Sequence, residues 1–244
     1  MAPTKETELQ TVFETLMASR LPVSEKTLDR LSQELTGVVG AAIEATKKVL
    51  AAATFHVLSE PAILRTLRTE LAEAEALNSG SALSFVQLEK LPYLTAVLKE
   101  ALRIGHGVAQ RLPRVSKHPV QCGDFTIPAG TAFSMSIFQQ HQSAVFADHK
   151  SFKPERWLDK PRARSAPGKE EKPLERFFVP FSKGTRNCIG QHIAWVELYV
   201  VFATLIKRVD MRLFETTLRD VEMGREYFTA LIPADANGLR VTVE

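Results

Sequence analysis

The sequence contains little cysteine: two residues in 244, Cys122 and Cys188. Two cysteines are too few for a disulfide framework or for a four-cysteine zinc site. The six histidines show no metal-ligand spacing, and no internal repeat is visible. The net charge is only +3, and 45% of the residues are hydrophobic. This composition excludes a disordered chain and favours a folded intracellular one with a sizeable core.

Long hydrophobic runs and targeting signals are also missing. The most apolar stretch, from Ile193 to Ile206, contains Glu197 and is too short to cross a bilayer of about 30 Å. It therefore predicts a buried core helix. Residues 1–6 are polar and offer neither a signal peptide nor an anchor. We therefore expect no membrane span in this chain.

The most informative segment present is residues 181–190, which place Cys188 between two glycines at the start of the apolar helix. Gly184 and Gly190 let the backbone approach a flat cofactor where a Cβ would clash. Arg186 adds a permanent positive charge two residues before the sulfur, and a helix N-terminus favours the ionised thiol. An inert core cysteine is the ordinary alternative. The context favours a thiolate ligand for haem iron.

The same segment reads Phe-x-x-Gly-x-Arg-x-Cys-x-Gly after Phe-Val-Pro, and it closely resembles the haem-ligand loop of the cytochrome P450 family, fungal microsomal type. The resemblance implies haem as the cofactor, with the iron bound by Cys188. It also implies cofactor contacts from Phe181, Gly184, Arg186 and Gly190. In that family the thiolate pushes electron density through the iron and favours O–O cleavage.

Two upstream motifs stand in the order that the family shows. Glu100-Ala101-Leu102-Arg103 resembles its Glu-x-x-Arg, and residues 152–157 resemble its Pro-Glu-Arg segment. The resemblance implies a structural triad of Glu100, Arg103 and Arg156 that holds the cysteine loop. A solvated helix-face pair is the alternative for an isolated Glu-x-x-Arg.

The segment Arg-Leu-Pro-Arg at residues 111–114 resembles the family's entry into a strand beside the haem. The resemblance implies that Arg114 binds a haem propionate together with Arg186. Two planar guanidinium groups suit two carboxylates.

Apolar residues at helical spacing from Leu35 to Val57 predict one long helix before Pro61. It resembles the family's central helix, whose pattern Ala-Gly-x-acid-Thr-Thr reads Ala-Ala-Ile-Glu-Ala-Thr at residues 41–46. The resemblance implies that Glu44 and Thr46 are catalytic and deliver protons. Alanine replaces the usual threonine at position 45. Either a local bulge brings the Thr46 hydroxyl round, or water or a substrate hydroxyl must serve.

Basic residues concentrate between Lys150 and Arg176, with nine Lys or Arg against five acids. A solvated loop is one interpretation. The other, implied by the resemblance, is the proximal face where a flavin-containing NADPH reductase docks. No recognised nucleic-acid binding module accompanies these charges, so we expect no nucleic-acid partner.

We therefore predict a mainly α fold with small antiparallel β hairpins, a partial cytochrome P450 fold from the central helix to the carboxyl terminus. Residues 1–244 are expected to form an incomplete domain without the N-terminal anchor and the distal-pocket half. The predicted function is a haem-thiolate monooxygenase that oxidises a small lipophilic substrate, such as a secondary-metabolite intermediate. The alternative is an inactive remnant with weak or no haem binding that acts only as an interaction partner. Family members usually lie at the endoplasmic reticulum membrane, whereas we expect this chain to be soluble cytoplasmic or peripheral.

Overall fold

A computed structural model describes residues 11–163 and 170–244 of the protein. The chain forms two compact units, the first ending at Ile43 and the second running from Glu44 to Glu244. The α-helices in the described residues are α1 (Val12–Ala18), α2 (Leu28–Ser59), α3 (Pro61–Leu77), α4 (Phe85–Leu88), α5 (Pro92–Gly105), α6 (Ile137–His141) and α7 (Gln191–Arg208).

The strands are short and pair two by two. They are β1 (Arg114–Val115), β2 (Val120–Cys122), β3 (Phe125–Ile127), β4 (Ala132–Phe133), β5 (Met211–Leu213), β6 (Arg225–Glu226), β7 (Ala230–Leu231) and β8 (Val241–Val243). All four pairs are antiparallel: β1 with β4, β2 with β3, β5 with β8 and β6 with β7. The prediction of a mainly α fold with small antiparallel hairpins is confirmed.

The first unit contains α1 and the beginning of α2. Helix α1 starts with a capping box in which Thr11 and Glu14 satisfy each other's backbone N–H groups. The long helix predicted before Pro61 is present as α2, and it keeps α-helical hydrogen bonding through residues 41–46. The local bulge considered for Thr46 is therefore not formed.

The core of the second unit is built around α5. Pro92 occupies the first turn, where its missing N–H costs nothing. Apolar residues at helical spacing then face α3, α7 and the second half of α2, and fully burying each one stabilises the fold by roughly 1.5–3 kcal/mol. His106 ends the helix in the left-handed conformation, with a φ of 38°. Fully buried members of this core are Ala53, Val57, Leu67, Leu94, Val97, Leu98, Ala101, Phe202 and Ile206.

Helix α7 follows the cysteine segment directly, with Gly190 as its N-cap. One face packs into the core through Leu198, Tyr199 and Phe202, whereas Ile193 is 60% exposed on another face. Within residues 11–163 and 170–244, no helix has both the length and the apolar character needed to span a membrane.

Candidate functional site

The cysteine segment folds back on itself as a tight loop. The Cys188 N–H donates to the Phe181 carbonyl at 2.9 Å, and the Asn187 N–H donates to the Gly184 carbonyl at 3.1 Å. Gly184 has a φ of 81°, a conformation that a side chain would strain. The glycine is therefore needed for the turn itself, and the loop closes through its own backbone.

The Cys188 side chain is exposed and carries a free thiol. It lies two residues before the N-cap of α7, just ahead of the helix N-terminus at which the sequence interpretation placed it. A Cβ built on Gly190 would lie 3.9 Å from the Cys188 sulfur. Glycine at this position therefore keeps one side of the sulfur free of a neighbouring side chain.

Phe181 fixes the start of the loop to α7. Its ring lies 5.9 Å from the Trp195 ring, which in turn lies 5.5 Å from the Tyr199 ring. Tyr199 is buried and its hydroxyl is hydrogen-bonded to Thr95 of α5 at 2.7 Å. The loop is thus anchored through a row of aromatic side chains to the core of the second unit.

A groove of about 600 Å³ lies along β1, β4 and the segment that runs from Arg176 into the start of the cysteine loop. Four basic side chains line it, and no acidic residue is among the lining residues that the structure describes: the four are Arg111, Arg114, Arg176 and Lys183. The Arg114 guanidinium donates only to the neighbouring carbonyl of Pro113, at 2.9 Å. Anionic groups are the ligands that such a groove favours.

Arg186 stands two residues before the cysteine but does not line this groove. Within the described part of the chain, the side chains of Arg111 and Arg186 form no ion pair or hydrogen bond. These guanidinium groups are available to a ligand with carboxylates. Sequence reasoning named Arg114 and Arg186 but missed Arg111, Arg176 and Lys183, because a groove formed by distant segments leaves no local pattern.

Glu100, Arg103 and Arg156 come together in the interior. The Glu100 carboxylate accepts from Arg103 Nη2 at 2.8 Å and Nε at 3.0 Å, and from Arg156 Nε at 2.9 Å. The Trp157 indole N–H and the Lys153 backbone N–H complete the set, at 2.9 and 3.0 Å. Glu100 and Arg103 are both 0% exposed. The pair is therefore buried and is not a solvated helix face.

On α2, Glu44 and Thr46 point to different partners. Lys47 Nζ donates to the Glu44 carboxylate at 2.7 Å, and this hydrogen bond lowers the pKa of Glu44 below its ordinary value. The Thr46 hydroxyl donates to Glu197 of α7 at 3.2 Å. The structure thus uses Thr46 as a contact between two helices. Glu197 was missed, since it looked like a single charge inside an apolar helix.

Ala45 faces the chain that leaves α5. A Cβ built on Gly107 would lie 3.4 Å from the Ala45 methyl group. The next residue, Val108, forms an isolated β-bridge with Thr229 at the tip of the β6–β7 hairpin, and the Ala109 N–H donates to the Phe228 carbonyl at 3.3 Å. Three segments far apart in sequence therefore meet here, and Phe228 is 57% exposed at this point.

The residues present fit a haem. Within residues 11–163 and 170–244, no group of three or more His, Cys, Asp or Glu side chains is arranged to hold a metal ion. A haem iron would need one donor from the protein here, and the free thiol of Cys188 would supply a soft one. Two propionates would need cations, and the guanidinium groups of Arg114 and Arg186, which form no ion pair within the described residues, would meet that need.

Comparison with known proteins agrees with this geometry. The family model for cytochrome P450 matches residues 6–234. The chain therefore belongs to the cytochrome P450 family, whose members bind haem.

Three curated relatives are similar over nearly the whole chain. Tryptophan 6-hydroxylase of Fusarium equiseti is 43% identical over 234 residues, which cover 96% of this chain and 44% of the relative. A cytochrome P450 monooxygenase of Eupenicillium brefeldianum is 40% identical, covering 95% of this chain and 45% of the relative. N-acetyltryptophan 6-hydroxylase of Emericella nidulans is 40% identical, covering 96% and 45%. The chain thus spans a little under half the length of these relatives.

Proposed function

We propose that this chain is the haem-binding part of a monooxygenase that oxidises a small aromatic or lipophilic secondary metabolite. The observation that carries the proposal is the loop of residues 181–190, which closes through its own backbone and presents a free exposed thiol two residues after Arg186. In this proposal residues 1–244 correspond to the carboxyl-terminal half of the family's domain. The family assignment and the fungal monooxygenases among the relatives support it.

Each site residue then has a defined task. Cys188 would hold the iron, while Gly184 and Gly190 would leave room for the haem, because neither has a side chain. Phe181 anchors the loop to α7. The propionates would pair with Arg114, among the basic residues of the groove, and with Arg186, which lies outside that groove. When bound, the haem supplies the chemistry of dioxygen activation and oxygen-atom transfer.

The substrate is proposed to lie where α2, residues 105–110 and the β6–β7 hairpin meet. Ala45 presents only a methyl group there, and Gly107 opposite it has no side chain. The exposed ring of Phe228 offers a flat apolar contact. Two relatives bear the names of tryptophan and N-acetyltryptophan hydroxylases. Indole amino acids are therefore the first substrates to test.

Proton delivery is proposed to start from Glu44, which Lys47 holds as a carboxylate. With the Thr46 hydroxyl committed to Glu197, ordered water or a substrate hydroxyl completes the path. Electrons are proposed to come from a flavin-containing NADPH reductase that docks on the basic segment between Lys150 and Arg176. Residues 164–169 of that segment lie outside the described residues.

A second candidate is a haem-binding or interaction chain without turnover. The alanine at position 45 and the occupied Thr46 hydroxyl favour it, because the side-chain alcohol is the group that donates a proton at this position. One experiment separates the two. The protein is reconstituted with haem and given NADPH, a reductase, and tryptophan or N-acetyltryptophan.

Hydroxylated product formed by the wild type and not by Cys188→Ser supports the monooxygenase. A thiolate-type carbon monoxide spectrum without product supports the second candidate. Cys122→Ser is the matched control, since Cys122 is also an exposed free cysteine but lies in a hairpin. A red-shifted spectrum that survives Cys188→Ser contradicts both.

A further inference from the structure

His141 links the buried triad to the chain that leads into the cysteine loop. It ends α6 and is 0% exposed. Its carbonyl accepts from Arg103 Nη1 at 3.0 Å, and its ring nitrogen Nε2 accepts from the Val179 N–H at 3.0 Å. Val179 lies two residues before Phe181, the first residue of the loop. His141 thus contacts both the triad and the chain that leads into the cysteine loop.

The hydrogen bond from Val179 fixes the protonation state of His141. Because Nε2 accepts, the ring is neutral and its proton lies on Nδ1. Nδ1 is buried and has no partner among the residues that the structure describes. The histidine therefore leaves one polar group unsatisfied, which an apolar side chain of similar shape would avoid. A residue kept only for packing would not carry this cost.

The surroundings of His141 disfavour a charged ring. Its ring lies 5.8 Å from the Phe146 ring and 5.6 Å from the ring of Phe178, the residue before Val179. The charged or titratable groups that face it are His106, stacked at 6.3 Å, and Arg103 of α5. Burial, then His106, then Arg103, lower the pKa of His141 to about 3. The ring thus stays an acceptor at neutral pH.

We propose that His141 is a positioning residue: by accepting the Val179 N–H it holds the cysteine loop in register with the Glu100–Arg103–Arg156 triad. This deepens the proposed function, because the loop is the element that presents Cys188. Two hydrogen bonds connect the triad to the loop: Arg103 donates to the His141 carbonyl, and the Val179 N–H donates to the His141 ring. The connection uses only groups of this chain and does not need a bound cofactor.

Two substitutions separate positioning from packing. His141→Phe keeps an aromatic ring between Phe146 and Phe178 but removes the acceptor. His141→Gln places a carbonyl oxygen near the former Nε2 and restores it. The matched control is His118→Gln, because His118 is exposed and, among the described residues, only its backbone N–H forms a hydrogen bond, to Ser116.

The first measurement is hydrogen exchange of the Val179 amide in the haem-free chain. We expect the protection factor to fall about two- to tenfold in His141→Phe, the effect of one lost hydrogen bond, and to recover in His141→Gln. The fraction of haem retained after gel filtration should likewise fall in His141→Phe and recover in His141→Gln. Unchanged protection at Val179 in His141→Phe, or no recovery in His141→Gln, overturns the proposal.

The second measurement is the pH dependence of unfolding in urea. The folded pKa of His141 is below its ordinary value of 6.5, so its stabilising contribution is complete above that pH and is lost as the pH falls toward 3. Between pH 6 and pH 4, protonation of His141 should raise the wild-type unfolding equilibrium constant about tenfold for each unit that the pH falls. His141→Gln should lack this rise. An identical pH slope in wild type and His141→Gln contradicts the proposal. If no variant and no wild-type protein binds haem, the proposed function is refuted. The exchange of the Val179 amide and the pH dependence of unfolding still test the role of His141, because neither needs haem.

Discussion

Removing the Glu100 carboxylate should lower the free energy of unfolding more than removing the charge of a surface residue. Glu100 accepts five hydrogen bonds, and two of its partners are the guanidinium groups of Arg103 and Arg156. Arg103 is 0% exposed. Glu100→Ala therefore leaves a buried cation without its counter-ion, and breaking such a buried pair costs about 3–5 kcal/mol. The indole N–H of Trp157 is orphaned as well, which adds to the cost.

The assay is equilibrium unfolding in urea, followed by circular dichroism, for wild type, Glu100→Ala and a matched control. Glu34→Ala is that control, since Glu34 pairs with Arg30 at 2.5 Å on α2 but is 50% exposed. An exposed pair of this kind contributes about 0.3–0.5 kcal/mol. If Glu100→Ala lowers the free energy of unfolding by less than about 1 kcal/mol, Glu100, Arg103 and Arg156 do not form a buried ion-pair network.

Three further outcomes are expected. Cys188→Ser should abolish the red-shifted Soret band of the carbon monoxide adduct, whereas Cys122→Ser should keep it; the reverse result would reassign the thiolate ligand. Thr46→Val should cost about 0.5–1.5 kcal/mol, the value of one hydrogen bond to Glu197, measured by urea unfolding; no loss would mean that the contact is not formed. Burial lowers the pKa of His56 to about 4, so stability should fall as the pH drops below 6.5 toward 4. His56→Phe should flatten that part of the pH profile, and an unchanged profile would show that His56 is not buried.

Much of the candidate site was readable from the sequence because its determinants are local. The loop of residues 181–190 needs glycine for a turn with positive φ, and the cysteine lies at a fixed spacing from it. The helix before Pro61 follows from apolar residues at helical spacing. These features depend on residues within a few positions of one another.

Partners across long separations were decided only by the tertiary structure. Thr46 was expected to act in proton delivery, yet its hydroxyl contacts Glu197, which lies 151 residues away. The hydrogen bond between His141 and Val179 likewise cannot be predicted from the local sequence, because the two residues are 38 positions apart. The spacing of apolar residues along the sequence indicates which face of a helix is buried. It does not state which polar group on another element lies opposite, because that depends on how helices pack and on the requirement that buried polar groups find partners.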